Sequence, residues 1–141
     1  MCVELEPHTS RAELEQRLAP FADRIYLHQV VERGENEVLR RFADMGEALA
    51  SRREGTRAEW RIHFHVPLFT EHLGGLFSTQ ADNARVLDYV TANEVTAHLE
   101  VETYTWNVLP KELKLDLASS IERELRWALD RVAVAELCTK L

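Results

Sequence analysis

Apolar and polar positions recur with two different periods along the chain, and these periods predict helices that alternate with strands. Apolar residues spaced three to four apart predict four helices, the first over Ser10–Ala22 and the others beginning at Asp44, Ser78 and Asp116. Each begins at a Ser or Asp, which are residues that cap helix N-termini. Runs rich in β-branched and aromatic residues predict three strands, at Arg24–Val31, Trp60–Phe69 and Ala97–Tyr104. Strands alternating with helices favour βα units, and therefore an α/β fold with a parallel sheet.

The second and third predicted strands each have one apolar face and one face rich in His or Glu. His63 and His65 share a face in the second strand, while Glu100, Glu102 and Tyr104 share one in the third. An antiparallel sheet with one side in solvent produces the same alternation. In a parallel sheet covered by helices, the polar face instead points into a second interior, as it does inside a (β/α)₈ barrel.

The barrel alternative places candidate catalytic groups at the ends of strands. His65 and Glu102 lie late in their strands, nearest the rim where barrel enzymes hold their catalytic residues. Imidazole and carboxylate groups ligate first-row divalent metals, and they also serve as proton-transfer pairs. His28 is a candidate third ligand from the first strand. For His63 and Glu100 we favour the alternative, that they are buried, hydrogen-bonded interior residues.

Composition limits the classes of protein to consider. The chain has 141 residues, of which 45% are hydrophobic and 29% charged, so we expect one globular domain over residues 1–141. A net charge of −7 disfavours binding to nucleic acid. No apolar run approaches the ~18 residues of a membrane-spanning helix. The two cysteines lie at opposite ends of the sequence, which favours a reducing compartment, and we expect a cytoplasmic location.

Four segments of the chain form an ordered set: Tyr26–Val31, His63–Phe69, Leu99–Pro110 and Arg123–Trp127. They resemble the EboE family of metabolite-traffic proteins, and the likeness extends over about residues 8–133. The family is similar in fold to xylose isomerase and the sugar-phosphate isomerase/epimerase TIM barrels. A typical barrel needs about 250 residues. The resemblance therefore implies only the C-terminal part of such a barrel, a partial (β/α)₈ barrel with parallel strands whose N-terminal strands are missing.

The resemblance also implies roles for individual residues. Glu102 would be a metal ligand and possible base, His65 a ligand or oxygen polariser, and His28 a further ligand or its support. The metal would be Mn²⁺, Mg²⁺ or Zn²⁺, in a site that this chain leaves incomplete. The implied substrate pocket consists of His63, Phe69, Glu100, Tyr104 and Trp106.

Three functions remain open at this point. The first is EboE-like traffic of a small secondary-metabolite precursor, and the second is a metal-dependent sugar or sugar-phosphate isomerase or epimerase. The third is an inactive truncated fragment. In each case the expected partner is a small metabolite, with no nucleic acid and no membrane insertion. An incomplete barrel would leave open sheet edges, and we expect copies of the chain to associate through these edges.

Overall fold

The computed structural model of the chain describes residues 1–22, 26–102, 111 and 114–139, with side chains in the last range described as far as Val132. It divides into two compact units. The first unit comprises Met1–His65 and His72–Phe77, and the second comprises Val66–Glu71 and Ser78–Leu141. The expectation of a single domain stays a prediction.

The first unit is built on a six-stranded antiparallel sheet. Its strands are β1 (Cys2–Leu5), β2 (Val30–Gly34), β3 (Leu39–Phe42), β4 (Ala58–Ile62), β5 (His72–Leu73) and β6 (Leu76–Phe77). Their order across the sheet is β3-β2-β4-β1-β6-β5. Every neighbouring pair runs antiparallel, with β4 and β1 at the centre.

The predicted parallel sheet and partial TIM barrel are wrong. Hairpins with short connections join β2 to β3 and β5 to β6, whereas parallel neighbours need a crossover of a dozen or more residues. The predicted third strand is also absent, because residues 97–102 contain no strand and residues 103–104 lie outside the described ranges. The second predicted strand ends at Ile62, so its later half does not extend the sheet.

Three of the four predicted helix starts are confirmed by their caps, while the helix predicted to begin at Ser78 has Thr79 as its N-cap. The helices are α1 (Arg11–Leu18), α2 (Met45–Ala50), α3 (Gln80–Ala92) and α4 (Leu117–Thr139). The Ser10 hydroxyl accepts a hydrogen bond from the Glu13 amide, and the Asp44 carboxylate accepts one from the Gly46 amide. Asp116 Oδ1 accepts from the Ser119 amide at 3.0 Å. Each cap satisfies an amide that the first helical turn leaves without a partner.

The Gly74-Gly75 pair forms the two-residue turn between β5 and β6. Both glycines have positive φ angles, +57° and +86°, as a type I′ hairpin turn requires. The guanidinium of Arg17 donates to the Gly75 carbonyl at 2.7 Å. The pair therefore closes a hairpin, and side chains other than glycine would be strained there.

One face of the sheet forms the core of the first unit around Trp60. This indole is fully buried, and its Nε1–H donates to Glu32 Oε2 at 2.8 Å. The other oxygen of Glu32 accepts from Arg40 at 2.8 Å. Val3, Trp60, Glu32 and Arg40 are cross-strand partners in turn, so they form one row across four strands. Apolar side chains from α1 and α2 are buried as well, among them Leu14, Leu18 and Ala48.

The opposite face of the same sheet carries charged side chains. Glu59 accepts hydrogen bonds from the guanidinium groups of Arg61 and Arg33, and these bonds lower the pKa of the Glu59 carboxyl below its usual value. The strands of this sheet therefore have one apolar and one polar face, as in an antiparallel sheet with one side in solvent. The inference of a second, barrel-like interior was wrong because the polar faces on which it was based, at residues 63–65 and 100–102, lie outside these strands.

We predict that Glu32→Ala lowers the free energy of unfolding by about 3 kcal/mol, because it leaves Trp60 Nε1–H and Arg40 without their buried acceptor. Urea denaturation measures this change. The matched control is Glu37→Ala, which removes an exposed carboxylate paired with Arg33 and should change stability by less than about 1 kcal/mol. Equal losses in the two variants would contradict the prediction.

Candidate ligand-binding site

The second unit contains an apolar groove beside the packed helices α3 and α4. The groove has a volume of about 350 Å³. Its apolar lining residues are Leu68, Val86, Leu87, Leu99, Val101, Leu125, Trp127, Ala128, Leu129 and Val132. Among the described residues, Asn83 and Glu100 add the polar side chains of this lining. A concave surface of this size and composition is typical of small-molecule sites.

The apolar stripe of α4 forms one wall of the groove and is only partly covered. Leu129 is 65% exposed and Leu125 44% exposed, although both belong to the apolar positions that recur along this helix. From α3, Val86 is exposed in the same groove. Contiguous exposed apolar side chains are uncommon on soluble proteins and mark surfaces that bind something.

Two buried polar side chains lie on α4 next to the groove. Glu124 is 3% exposed; its Oε1 accepts from the Leu68 amide at 3.0 Å, while its Oε2 has no hydrogen-bond partner among the described residues. Ser120, one turn earlier, is fully buried, and its hydroxyl also has no partner within the described ranges. Buried polar atoms are normally paired, so this combination needs an explanation.

Burial changes the acidity of Glu124. Desolvation raises the pKa of its carboxyl above the usual value, and the hydrogen bond from the Leu68 amide offsets part of this effect. The adjacent guanidinium of Arg123 lies 3.9 Å from the centre of the Phe69 ring. No described residue supplies a charge that compensates the carboxylate.

The first unit has a cavity of similar volume, about 350 Å³, but its chemistry is different. Its lining is charged, and most of those charges are already paired. Arg57 binds Glu6 at 2.8 Å, and Arg33 contacts both Glu37 and Glu59. Internal pairing of this kind leaves little demand for a ligand, so the apolar groove is the stronger candidate.

All three predicted site histidines lie in the first unit. The rings of His63 and His65 are 5.1 Å apart, in the segment that follows β4. His28 is buried and stacks on Phe64 at 5.2 Å, and its amide donates to Asp44 Oδ1 at 2.8 Å. The structure therefore brings His63 and His65 together, on a chain segment without regular secondary structure.

The other predicted site residues that can be described lie in the second unit. Glu100 and Glu102 are exposed and follow α3 without forming a strand, and Glu100 lines the groove. Phe69 lies beneath the Arg123 guanidinium. Tyr104 and Trp106 lie outside the described residues. Since His65 and Glu102 belong to different units and neither is in a strand, their predicted position at one end of a parallel sheet is wrong.

Within the described ranges, no three His, Cys, Asp or Glu side chains are grouped so that they can hold a metal ion. The predicted metal-binding character thus gains no support, and the divalent cofactor stays a prediction. No helix in the described part of the chain has the length and hydropathy needed to cross a membrane.

Sequence reasoning missed Ser120 and Glu124. Both lie at the edge of the apolar stripe of α4, which runs through Leu117, Leu125 and Leu129. The available signal was their spacing, because two polar residues four apart beside such a stripe share one face of the helix. Periodicity alone did not indicate that the buried face of α4 is the one that contains these two polar side chains.

Comparison with known proteins adds no assignment. No protein-family model matches the chain, and searches of curated proteins and of solved structures found no match. The resemblance to the EboE family stays a prediction. The groove of the second unit and the buried pair beside it are therefore interpreted from their own geometry.

We predict that Glu124 makes stability fall as the pH rises. The folded chain holds this proton to a higher pH than the unfolded chain does, because burial raises the pKa. The penalty for ionising the buried carboxyl is absent below the unfolded pKa of about 4.3 and is complete above the raised folded pKa.

Urea denaturation from about pH 4 to pH 8 measures the effect, as the free energy of unfolding of the unaltered protein minus that of Glu124→Gln. This difference should decrease as the pH rises through that window. Glu122→Gln, an exposed neighbour on the same helix, is the matched control and should give a nearly constant difference. A Glu124 difference that is constant or increases with pH would refute the prediction.

Proposed function

We propose that this chain is a carrier that binds a small, mainly apolar metabolite in the groove of the second unit. The observation that carries the proposal is the groove itself, which has a volume of about 350 Å³ and whose described lining consists of ten apolar residues and two polar ones. Ligand cavities usually measure about 300–1,000 Å³ and have this kind of lining. The volume favours a compact molecule over an extended lipid.

Burial of apolar surface supplies the driving force. Leu125, Leu129 and Val86 present apolar area to solvent in the free protein. Covering such area contributes about 25 cal/mol for each Å² removed from water. Asn83 and Glu100 at the lining provide hydrogen-bonding groups that orient a ligand. A carrier needs no catalytic group at this surface.

The proposal agrees with one of the functions expected from the sequence. Traffic of a small metabolite precursor is what the resemblance to the EboE family implies, and a binding groove serves that role without a barrel. The isomerase alternative was based on catalytic groups from parallel strands at one rim, a geometry that the antiparallel sheet does not provide. We also propose that the carrier acts in the cytoplasm, as its two widely separated cysteines suggest.

We predict that cyclohexylmethanol, a compact apolar alcohol, binds to the second unit of the intact chain. Ligand-detected NMR titration measures the dissociation constant. Ala128→Phe places a ring in the groove and should weaken binding at least about tenfold, which corresponds to about 1.4 kcal/mol. Ala118→Phe adds the same ring at an exposed position of α4 that does not line the groove, and should leave the affinity unchanged.

Two results would contradict the carrier proposal. The first is an absence of binding, or binding that Ala128→Phe and Ala118→Phe affect equally. The second is that another copy of the chain, and not a small molecule, occupies the groove. In that case sedimentation velocity would show a dimer that Ala128→Phe dissociates, and the alcohol would not bind to the dimeric protein.

A further inference from the structure

We propose that the ligand carried in the groove bears an amine, and that Glu124 and Ser120 receive this amine as the polar end of the site. The inference rests on the proposed carrier function and specifies the chemical class of its ligand: a compact apolar body with one protonated amino group. Glu124 Oε2 and the Ser120 hydroxyl have no other hydrogen-bond partner among the described residues.

The geometry connects the polar pair to the groove through two residues. Leu68 lines the groove, and its amide holds Glu124 Oε1 at 3.0 Å. Ala128 also lines the groove, one turn of α4 after Glu124. Residues four apart are neighbours on a helix surface, so Glu124 lies beside the groove and Ser120 lies one turn farther on.

The position of Glu124 is fixed before any ligand binds. The Leu68 amide donates to its Oε1, and the Leu68 carbonyl in turn accepts from Gln80 Nε2 at 2.8 Å. These bonds tie α3, α4 and the segment containing Leu68 together. The bond from the Leu68 amide occupies one carboxylate oxygen of Glu124. Its other oxygen, Oε2, and the Ser120 hydroxyl remain as acceptors that no described residue uses.

A cation matches this site better than a neutral group does. An ionised carboxylate in a buried position is costly unless an opposite charge compensates it, and no described residue provides that charge. An alkylamine, with a pKa near that of lysine at about 10.4, is protonated at neutral pH and supplies both the charge and three N–H donors. Glu124 Oε2 would accept one donor and the Ser120 hydroxyl a second.

The test compares two probes of nearly the same shape, cyclohexylmethylamine and cyclohexylmethanol, on the full chain at neutral pH. We expect the amine to bind roughly ten- to a hundredfold more tightly, since hydrogen bonds to charged groups contribute this much. Glu124→Gln should abolish the advantage of the amine while changing the affinity for the alcohol by less than about threefold. Ser120→Ala should reduce the advantage in part.

Glu122→Gln is the matched control, because it removes an exposed carboxylate from the same helix and should leave the advantage of the amine intact. Carbon-13 NMR of the Glu124 carboxyl in the unaltered protein gives a readout that needs no variant. The bound amine should lower the pH midpoint at which this resonance titrates, because a neighbouring cation favours the ionised carboxylate, and the bound alcohol should not.

The outcomes separate the two proposals. Equal affinity for amine and alcohol, or loss of the advantage in Glu122→Gln as well as in Glu124→Gln, overturns the amine site and leaves the carrier intact. A pH midpoint of the Glu124 resonance that bound amine does not lower overturns it too, even if Glu124→Gln does not fold. Failure of both probes to bind overturns the carrier proposal and the amine site with it.

Discussion

The burial of Trp60 is the constraint on which the first unit depends. Its indole lies within the sheet without exposure to water, so its N–H must find an acceptor inside the protein. Glu32 on the neighbouring strand is that acceptor, and Arg40 on the next strand balances the charge that Glu32 brings into the core. This row fixes the register of β4, β2 and β3, because a shift by one residue would move all three side chains to the opposite face.

The second unit distributes polar and apolar groups in the opposite way. The sheet buries apolar side chains and pairs the charge of its buried Glu32, whereas α4 buries Ser120 and Glu124 without full pairing and leaves Leu125 and Leu129 exposed. Both features of α4 make the folded chain less stable when no ligand is bound, because apolar area stays hydrated and buried polar atoms stay unpaired. One ligand with an apolar body and a charged end would remove both costs at once. This agreement is the physical reason for joining the groove and the polar pair in a single site.

The predicted metal chemistry depended on a geometry that the chain does not adopt. His65 and Glu102 were joined by the assumption of parallel strands, whose carboxyl ends meet at one edge. In the structure β4 ends at Ile62, before His63 and His65, and the segment containing Glu100 and Glu102 is not a strand. Alternation of polar and apolar residues is the same in an antiparallel sheet with one wet face. It therefore could not decide whether these side chains point into an interior.

The sequence by itself determined the features that depend on residues close together in the chain. Caps at Ser10, Asp44 and Asp116 involve partners within three residues, and the absence of a side chain permits the positive φ angles of Gly74 and Gly75. Strand direction, the pairing of Glu32 with Trp60, and the burial of Glu124 in place of Leu129 were decided only by the tertiary structure. They depend on partners far away in sequence: Glu32 and Trp60 are 28 residues apart, and Leu68 and Glu124 are 56 apart. Local periodicity carries no information about such partners, because several arrangements bury the same pattern.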